Sequence, residues 1–338
     1  MDSRSSAPWP SGAWRKELAD VVTDVAELLR LLGLEDRPPY ATPPVLRGFP
    51  LRVPRAFVDR MRPGDPADPL LRQVLPLAEE DETVPGFTTD PVGELASSPV
   101  DSVLHKYQGR ALLIVTGACA VHCRYCFRRH FPYSESGTGT SEWDGAIDRI
   151  ASDPTLSEVI LSGGDPLAVP DSRLEVLGRK LAAVPQLKRL RIHTRLPIVL
   201  PQRVDGALTS WIGGLGLPTV VVVHANHANE IDDDVRRSLA ALDATGVTLL
   251  NQAVLLAGVN DSVDAIADLS EVMFEAGVLP YYLHMLDPVL GAAHFEVSDD
   301  EARCLHAELA ARLPGYLVPR LVREVPGAPA KVGVDLWR

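Results

Sequence analysis

The feature that most restricts the fold of this chain is a rhythm. Short apolar runs rich in β-branched residues fall at 111–116, 158–161, 189–193, 219–224, 248–255 and 279–283. Between and after them, helical periodicity marks 141–152, 172–183, 204–215, 232–245, 262–276 and 299–313. After the first unit the runs recur roughly every 30 residues, the length of a strand–helix–strand unit, so a parallel sheet is expected. Six units are fewer than a closed eight-unit barrel contains. A partial barrel and an open doubly wound sheet both fit that count. In α/β barrels the reactive groups gather at the carboxyl ends of the strands.

Upstream of the rhythm the pattern differs. Residues 1–12 are rich in Ser and Pro. Trp14, Leu18, Val21, Val22, Val25, Leu28, Leu29 and Leu32 keep helical spacing up to Gly33, which predicts one helix with an apolar stripe laid on the main body. Residues 37–54 are proline-rich and extended, and short helices are expected near 55–61 and 68–77. The acidic run at 79–82 reads as a solvated surface, and 85–99 as loop. With a boundary drawn near Ser102, three regions follow: 1–101 helical and extended, 102–313 the βα body, and 314–338 a C-terminal segment.

A chain of 338 residues can bury a sizeable core. Its formal net charge of −12 argues against a general binder of nucleic acid or membrane surfaces. No apolar run approaches the length of a membrane span. The N-terminus lacks a signal-peptide core and carries Glu17, Asp20 and Asp24 where a transit peptide is poor in acid. A cytoplasmic, reducing compartment is therefore expected.

Three of the four cysteines, Cys119, Cys123 and Cys126, lie within eight residues directly after the first apolar run, while Cys304 stands alone. Thiolates are soft ligands that select iron–sulfur clusters, zinc or copper. Structural zinc takes four ligands, and so does a four-iron cluster held by protein alone. Three cysteines describe a cluster with one iron left open, able to chelate a substrate or cofactor. Zinc completed by His122 or His130 is the alternative, although no second Cys or His pair follows at zinc-site spacing. Other polar groups fall at later strand ends. Ser162-Gly163-Gly164-Asp165-Pro166 is either a tight turn or a place where backbone approaches a ligand closely. His193-Thr194-Arg195 and His224-Ala225-Asn226-His227 end the third and fourth runs. Asn251-Gln252 interrupts the fifth, either satisfied by backbone or turned to a ligand. Lys331, read alone, is a solvated lysine.

The spacing Cys119-x3-Cys123-x2-Cys126 resembles the radical S-adenosylmethionine (SAM) superfamily, and Phe127-Arg128-Arg129-His130-Phe131 narrows the likeness to the lysine 2,3-aminomutase branch. The stretches 281–287, 291–295 and 316–331 resemble the short aminomutases that act with elongation factor P, known as (R)-β-lysylation protein B. The likeness runs from about Trp14 to Lys331. It implies a partial (β/α)6 barrel with an N-terminal helical region and a C-terminal extension carrying a pyridoxal phosphate lysine. It implies a 4Fe–4S cluster on Cys119, Cys123 and Cys126, with SAM on the open iron and a 5′-deoxyadenosyl radical from reductive C–S cleavage. The SAM pocket is implied to include Ser162, Gly163, Gly164 and Asp165, with His193, His224 and His227 nearby. Lys331 is implied to form the imine with pyridoxal phosphate, with Arg110 on the phosphate and Gln252 close by. Arg128 is implied to receive the substrate carboxylate, and Asp287 with Glu324 the ε-ammonium of lysine.

The implied reaction converts L-lysine into β-lysine, in the R form, for elongation factor P modification or a secondary metabolite, using a reducing electron donor. There are departures. Gly327 stands among alanines and prolines where long aminomutases have a glycine run, Glu324 stands for Asp, Lys106 stands for Arg, and no cysteine-bearing extension follows Lys331. Two rival activities are weighed: an aminomutase for arginine or glutamate, and a non-catalytic Fe–S electron carrier. Two acids at the side-chain end would repel glutamate but not arginine. An electron carrier needs neither an open iron nor a lysine imine.

Overall fold

The structure, a computed structural model, describes residues 9–35, 48–95, 102–133 and 140–334. Among the described residues nine strands form one sheet in sequence order. They are β1 Val103–Tyr107, β2 Arg110–Thr116, β3 Glu158–Gly163, β4 Arg189–Thr194, β5 Thr219–Val223, β6 Thr248–Val254, β7 Leu279–His284, β8 Arg320–Arg323 and β9 Val332–Gly333. Strands β2 to β8 run parallel, and β1 and β9 close the two edges antiparallel. A doubly wound sheet reverses its strand order at a switch point; this one does not. The helices Thr140–Ser152, Asp171–Ala182, Gly206–Gly213, Asp233–Asp243, Val263–Glu275 and Asp299–Arg312 each follow one of β2 to β7. The six expected strand–helix units are present as a partial barrel, open between β9 and β1. The stretch around 316–324 adds β8, a further parallel strand paired to β7.

Side chains alternate across a strand, and here the two faces differ in polarity. Leu190, Ile192, Val221, Val223, Leu249, Ala253 and Leu283 face the helices and join one continuous apolar core with Leu177, Leu239 and Met273. The opposite set includes His193, Gln252 and Tyr282. Sheet and helices therefore bury the outer face, and the inner face keeps polar groups.

The N-terminal region departs from its pattern. Two short helices, Trp14–Ala19 and Val25–Leu31, replace the single one expected. Val22 forms a backbone bridge with Val53, and Asp24 in an extended conformation caps the second helix at Glu27 N, 2.7 Å away. Each side-chain and backbone partner satisfies groups that a continuous helix would have used internally. The apolar stripe still reaches its target, because Trp14, Leu28 and Leu29 belong to the same core as the sheet.

Candidate active site on the inner face and at the strand ends

The three cysteines lie on the loop after β2, and the N-terminal region holds that loop from outside. Arg52 Nε donates to the Cys119 carbonyl at 2.8 Å, and the amides of His122 and Arg124 donate to the carbonyls of Arg52 and Gln73, both at 2.9 Å. Glu80 is buried, not solvated as its acidic run suggests: its side chain is 7% exposed and bridges Arg124 and Arg129. Arg129 also donates to the carbonyls of Arg124 and Gly291. Because a buried carboxylate needs partners, one residue of a charge run becomes a clamp on the cysteine loop.

This loop suits an iron–sulfur cluster. Burial, then the neighbouring thiols, raises Cys119 well above the usual thiol range and pushes Cys126 up to about 11. Crowded buried thiolates are unfavourable until a metal centre takes up their charge. His122 is anchored to the Pro50 carbonyl at 2.9 Å and stacked on Phe49, and His130 is anchored to the Leu290 carbonyl at 3.1 Å. Among the described residues no three His, Cys, Asp or Glu side chains surround one point as a single ion requires. Cysteines that each meet a different iron need no such point.

The glycines after β3 permit two loops to touch. A Cβ on Gly163 would lie 2.4 Å from the Thr116 carbonyl, and one on Gly164 would lie 2.4 Å from that of Ala118. Gly163 also has φ +121, a conformation L side chains rarely adopt. The amides of Gly164 and Asp165 donate to those carbonyls at 2.7 and 2.8 Å, fastening this turn to the cysteine loop. The Asp165 carboxylate turns inward and accepts from Leu167 N, Thr194 Oγ1, Arg195 N and Leu196 N. Arg128, 7% exposed, forms a two-pronged bond to Glu94 at 2.7 Å on each arm. Its remaining edge donates to Ser162 Oγ at 2.9 Å and to the Gly163 carbonyl at 3.2 Å.

On the inner face, His193 Nε2, His224 Nε2, His284 Nε2 and Gln252 Oε1 are enclosed without a hydrogen-bond partner. Unpartnered buried polar atoms are uncommon and point to a ligand that completes them. Burial and nearby cations keep the three imidazoles neutral, His224 down at about 3. Lys331 is among those cations for all three. The two readings of Asn251-Gln252 divide between neighbours. Asn251 pairs with the Ala225 backbone at 3.0 and 3.1 Å, while Gln252 points to the other face. His227 stands apart: its Nδ1 accepts from Asn229 N as a turn cap, and its charged neighbours are Glu230, Asp68, Arg62 and Asp268.

At the opening of the barrel, side chains join the two edges. Tyr107 on β1 donates to Glu324 just beyond β8, and Lys331 donates to the same carboxylate through its other oxygen. Burial, then Glu324 and more weakly Asp287, raise the Tyr107 hydroxyl, so Asp287 lies near as well. Arg110 lies over the Tyr107 ring at 5.1 Å, and Lys331 Nζ is 5.7 Å from the Tyr282 ring centre. Burial and Tyr281 push Tyr282 up to about 12. Lys331, Glu324, Asp287 and Arg110, scattered over more than two hundred positions, thus meet in one corner.

Comparison with known proteins settles the family. L-lysine 2,3-aminomutase of Escherichia coli is 53% identical over 324 residues, spanning 96% of this chain and 94% of that protein. The chain belongs to the L-lysine 2,3-aminomutase family. The Haemophilus influenzae relative is 45% identical over 94% of each chain, and that of Clostridium subterminale is 33% identical over 98% of this chain and 79% of its own. No family model matches the chain. The aminomutases are isomerases, and this chain is an enzyme of that class. The family's cofactors are a 4Fe–4S cluster, SAM and pyridoxal phosphate.

Sequence reasoning misses several residues that this aminomutase gathers at the candidate site. Tyr107, Glu80 and Glu94 come from outside the strand-end motifs. Gln73, Tyr125 and Glu230 form one buried network with Arg195 and Asn226. Arg195 and Asn226 lie inside stretches that the sequence marks, but next to the histidines selected there. His284, within the stretch 281–287, carries no separate signal.

Proposed function

We propose that the chain is a radical SAM, pyridoxal-phosphate-dependent L-lysine 2,3-aminomutase that forms (R)-β-lysine in the cytoplasm. The product would serve elongation factor P modification or a secondary metabolite. The observation that carries this reading is the corner where Lys331 and two acids converge beside unpartnered inner-face groups. Cys119, Cys123 and Cys126 would hold the cluster, leaving one iron for SAM beside the Ser162–Asp165 turn and the inner histidines. Bound cofactors would supply a 5′-deoxyadenosyl radical, from one electron of a low-potential donor, and a conjugated carbonyl carrier for the amino group.

The remaining roles fall to this chain's own side chains. Lys331 would attach pyridoxal phosphate, Arg110 would meet its phosphate, and Gln252 would lie against the ring. Arg128 would receive the substrate carboxylate, held in plane by Glu94. Lys331 occupies one oxygen of Glu324 and Tyr107 the other. Glu324, with Asp287 alongside, would receive the ε-ammonium of lysine. The neutral histidines can orient polar ligands without adding charge.

The test is product analysis after anaerobic reconstitution with lysine, SAM, pyridoxal phosphate and dithionite. β-Lysine of R configuration and a borohydride-reduced pyridoxyl adduct on Lys331 are expected. Turnover of arginine or glutamate in place of lysine would overturn the substrate assignment. An iron–sulfur protein with no product and no adduct would be an electron carrier.

A further inference from the structure

Arg195 follows β4 and reaches the cysteine loop from the barrel side. Its Nη1 lies 2.7 Å from Cys123 Sγ and 2.5 Å from the Tyr125 hydroxyl. Its Nη2 meets Gln73 Oε1 at 2.6 Å and Glu230 Oε2 at 3.0 Å. Gln73 and Glu230 are both 0% exposed. The guanidinium lies over the rings of Phe57 and Tyr125 at 5.5 and 5.7 Å, and Asp165 holds its backbone amide at 2.7 Å. Asn226 braces the same group by donating to Gln73 and Tyr125 at 2.9 and 2.7 Å. Both terminal nitrogens of the cation are therefore fixed, one of them against a cysteine sulfur, while its buried Nε has no hydrogen-bond partner.

We propose that Arg195 is a positioning residue for the cluster, stabilising its reduced state through a charged N–H···S bond to Cys123. The proposal rests on the reading of Cys123 as a cluster ligand. Reduction adds one electron, supplied by a low-potential one-electron donor, and takes the cluster from the 2+ to the 1+ state. The added negative charge is shared by the ligand sulfurs. A donor cation at one of them stabilises the reduced form more than the oxidised one, and hydrogen bonds to sulfur are among the factors that set cluster potentials. Glu230, behind the guanidinium, moderates that effect. Asp165 fastens the Gly164 turn through its backbone amide and the Arg195 backbone through its carboxylate, so one residue orients both the SAM-side turn and the tuning cation.

The experiment is a mediator titration of reconstituted enzyme followed by electron paramagnetic resonance, with iron content measured on each sample. Replacing both charges, Arg195→Gln with Glu230→Gln, is expected to lower the midpoint. At the wild-type midpoint its reduced-to-oxidised ratio should fall about tenfold, equivalent to 59 mV for one electron. Glu230→Gln alone should shift the midpoint the opposite way, an outcome that a packing role does not produce. A double variant with full iron content and a wild-type midpoint overturns the proposal. Wild-type enzyme carrying guanidino-15N arginine provides a test independent of variant folding. The reduced cluster should show a 15N hyperfine coupling, and its absence also overturns the proposal. Cys123→Ala separates the two readings: if it retains full cluster, the ligand assignment itself fails.

Discussion

Arg128 shows how one side chain depends on another far away in sequence. Its fork is closed by Glu94, and both are nearly fully buried, with side chains 6% and 9% exposed. Removing one partner of such a pair leaves an uncompensated charge in the interior, at a cost of about 3–5 kcal/mol. Glu94→Gln is predicted to lower unfolding free energy by that order and to raise the KM for lysine. Denaturant titration and steady-state kinetics check this, and unchanged stability would contradict the paired geometry. Gly164 is constrained by contact instead. A Cβ there collides with backbone, not with the movable end of a side chain. Gly164→Ala should therefore separate the β3 turn from the cysteine loop and lower iron content after reconstitution, measured by metal analysis. A full iron complement would mean that the loops can part at no cost to the cluster.

At the scale of elements, two segments outside the barrel control the strand-end loops. The turn Ala78–Asp81 carries Glu80 into the cysteine loop. The segment that ends in Glu94 runs over the loop after β7: Thr88 exchanges backbone hydrogen bonds with Pro288 and Leu290, both at 2.9 Å. It thus ties Arg128 to the loop carrying Asp287. Glu80→Gln retains shape but loses the charge that Arg124 and Arg129 share. It is predicted to release cluster iron to a chelator several-fold faster than wild type, read as loss of visible absorbance. An equal rate would show that the backbone bonds alone secure the loop.

At the scale of the whole molecule, the partial barrel keeps an unusually polar inner face, and this makes stability depend on pH. His193, His224 and His284 have values held below the ordinary histidine value of about 6.5, chiefly by burial. Above about pH 6.5 they are neutral in folded and unfolded chains alike, so they contribute no pH dependence. Below it the unfolded chain binds protons that the folded chain refuses, and stability falls. The fall continues to about 3 for His224. Glu80, held below the usual carboxylate range by Arg124 and Arg129 despite its burial, adds stability above the unfolded carboxylate value that is lost on further acidification. For the apoprotein, the unfolding free energy from urea titration should drop between pH 7 and 5, with a slope of up to about 1.4 kcal/mol per pH unit for each histidine. A flat unfolding free energy over that range would mean that the imidazoles are open to solvent.

The repeat of strand and helix was legible because periodicity is local, and every residue in a run reports the same face. The cysteine trio was legible because its spacing lies within one loop. The long N-terminal stripe misled: helical spacing was present, yet Asp24 and the Val22–Val53 bridge offered the backbone better partners than one continuous helix. Glu80 misled for a related reason, since composition counts its charge but not the two arginines that enclose it. The corner of Tyr107, Asp287, Glu324 and Lys331, and the contact of Arg195 with Cys123, were decided only by tertiary structure. Each needs a curled sheet to bring distant strand ends together, and a single residue's identity carries no record of which distant charge it will meet.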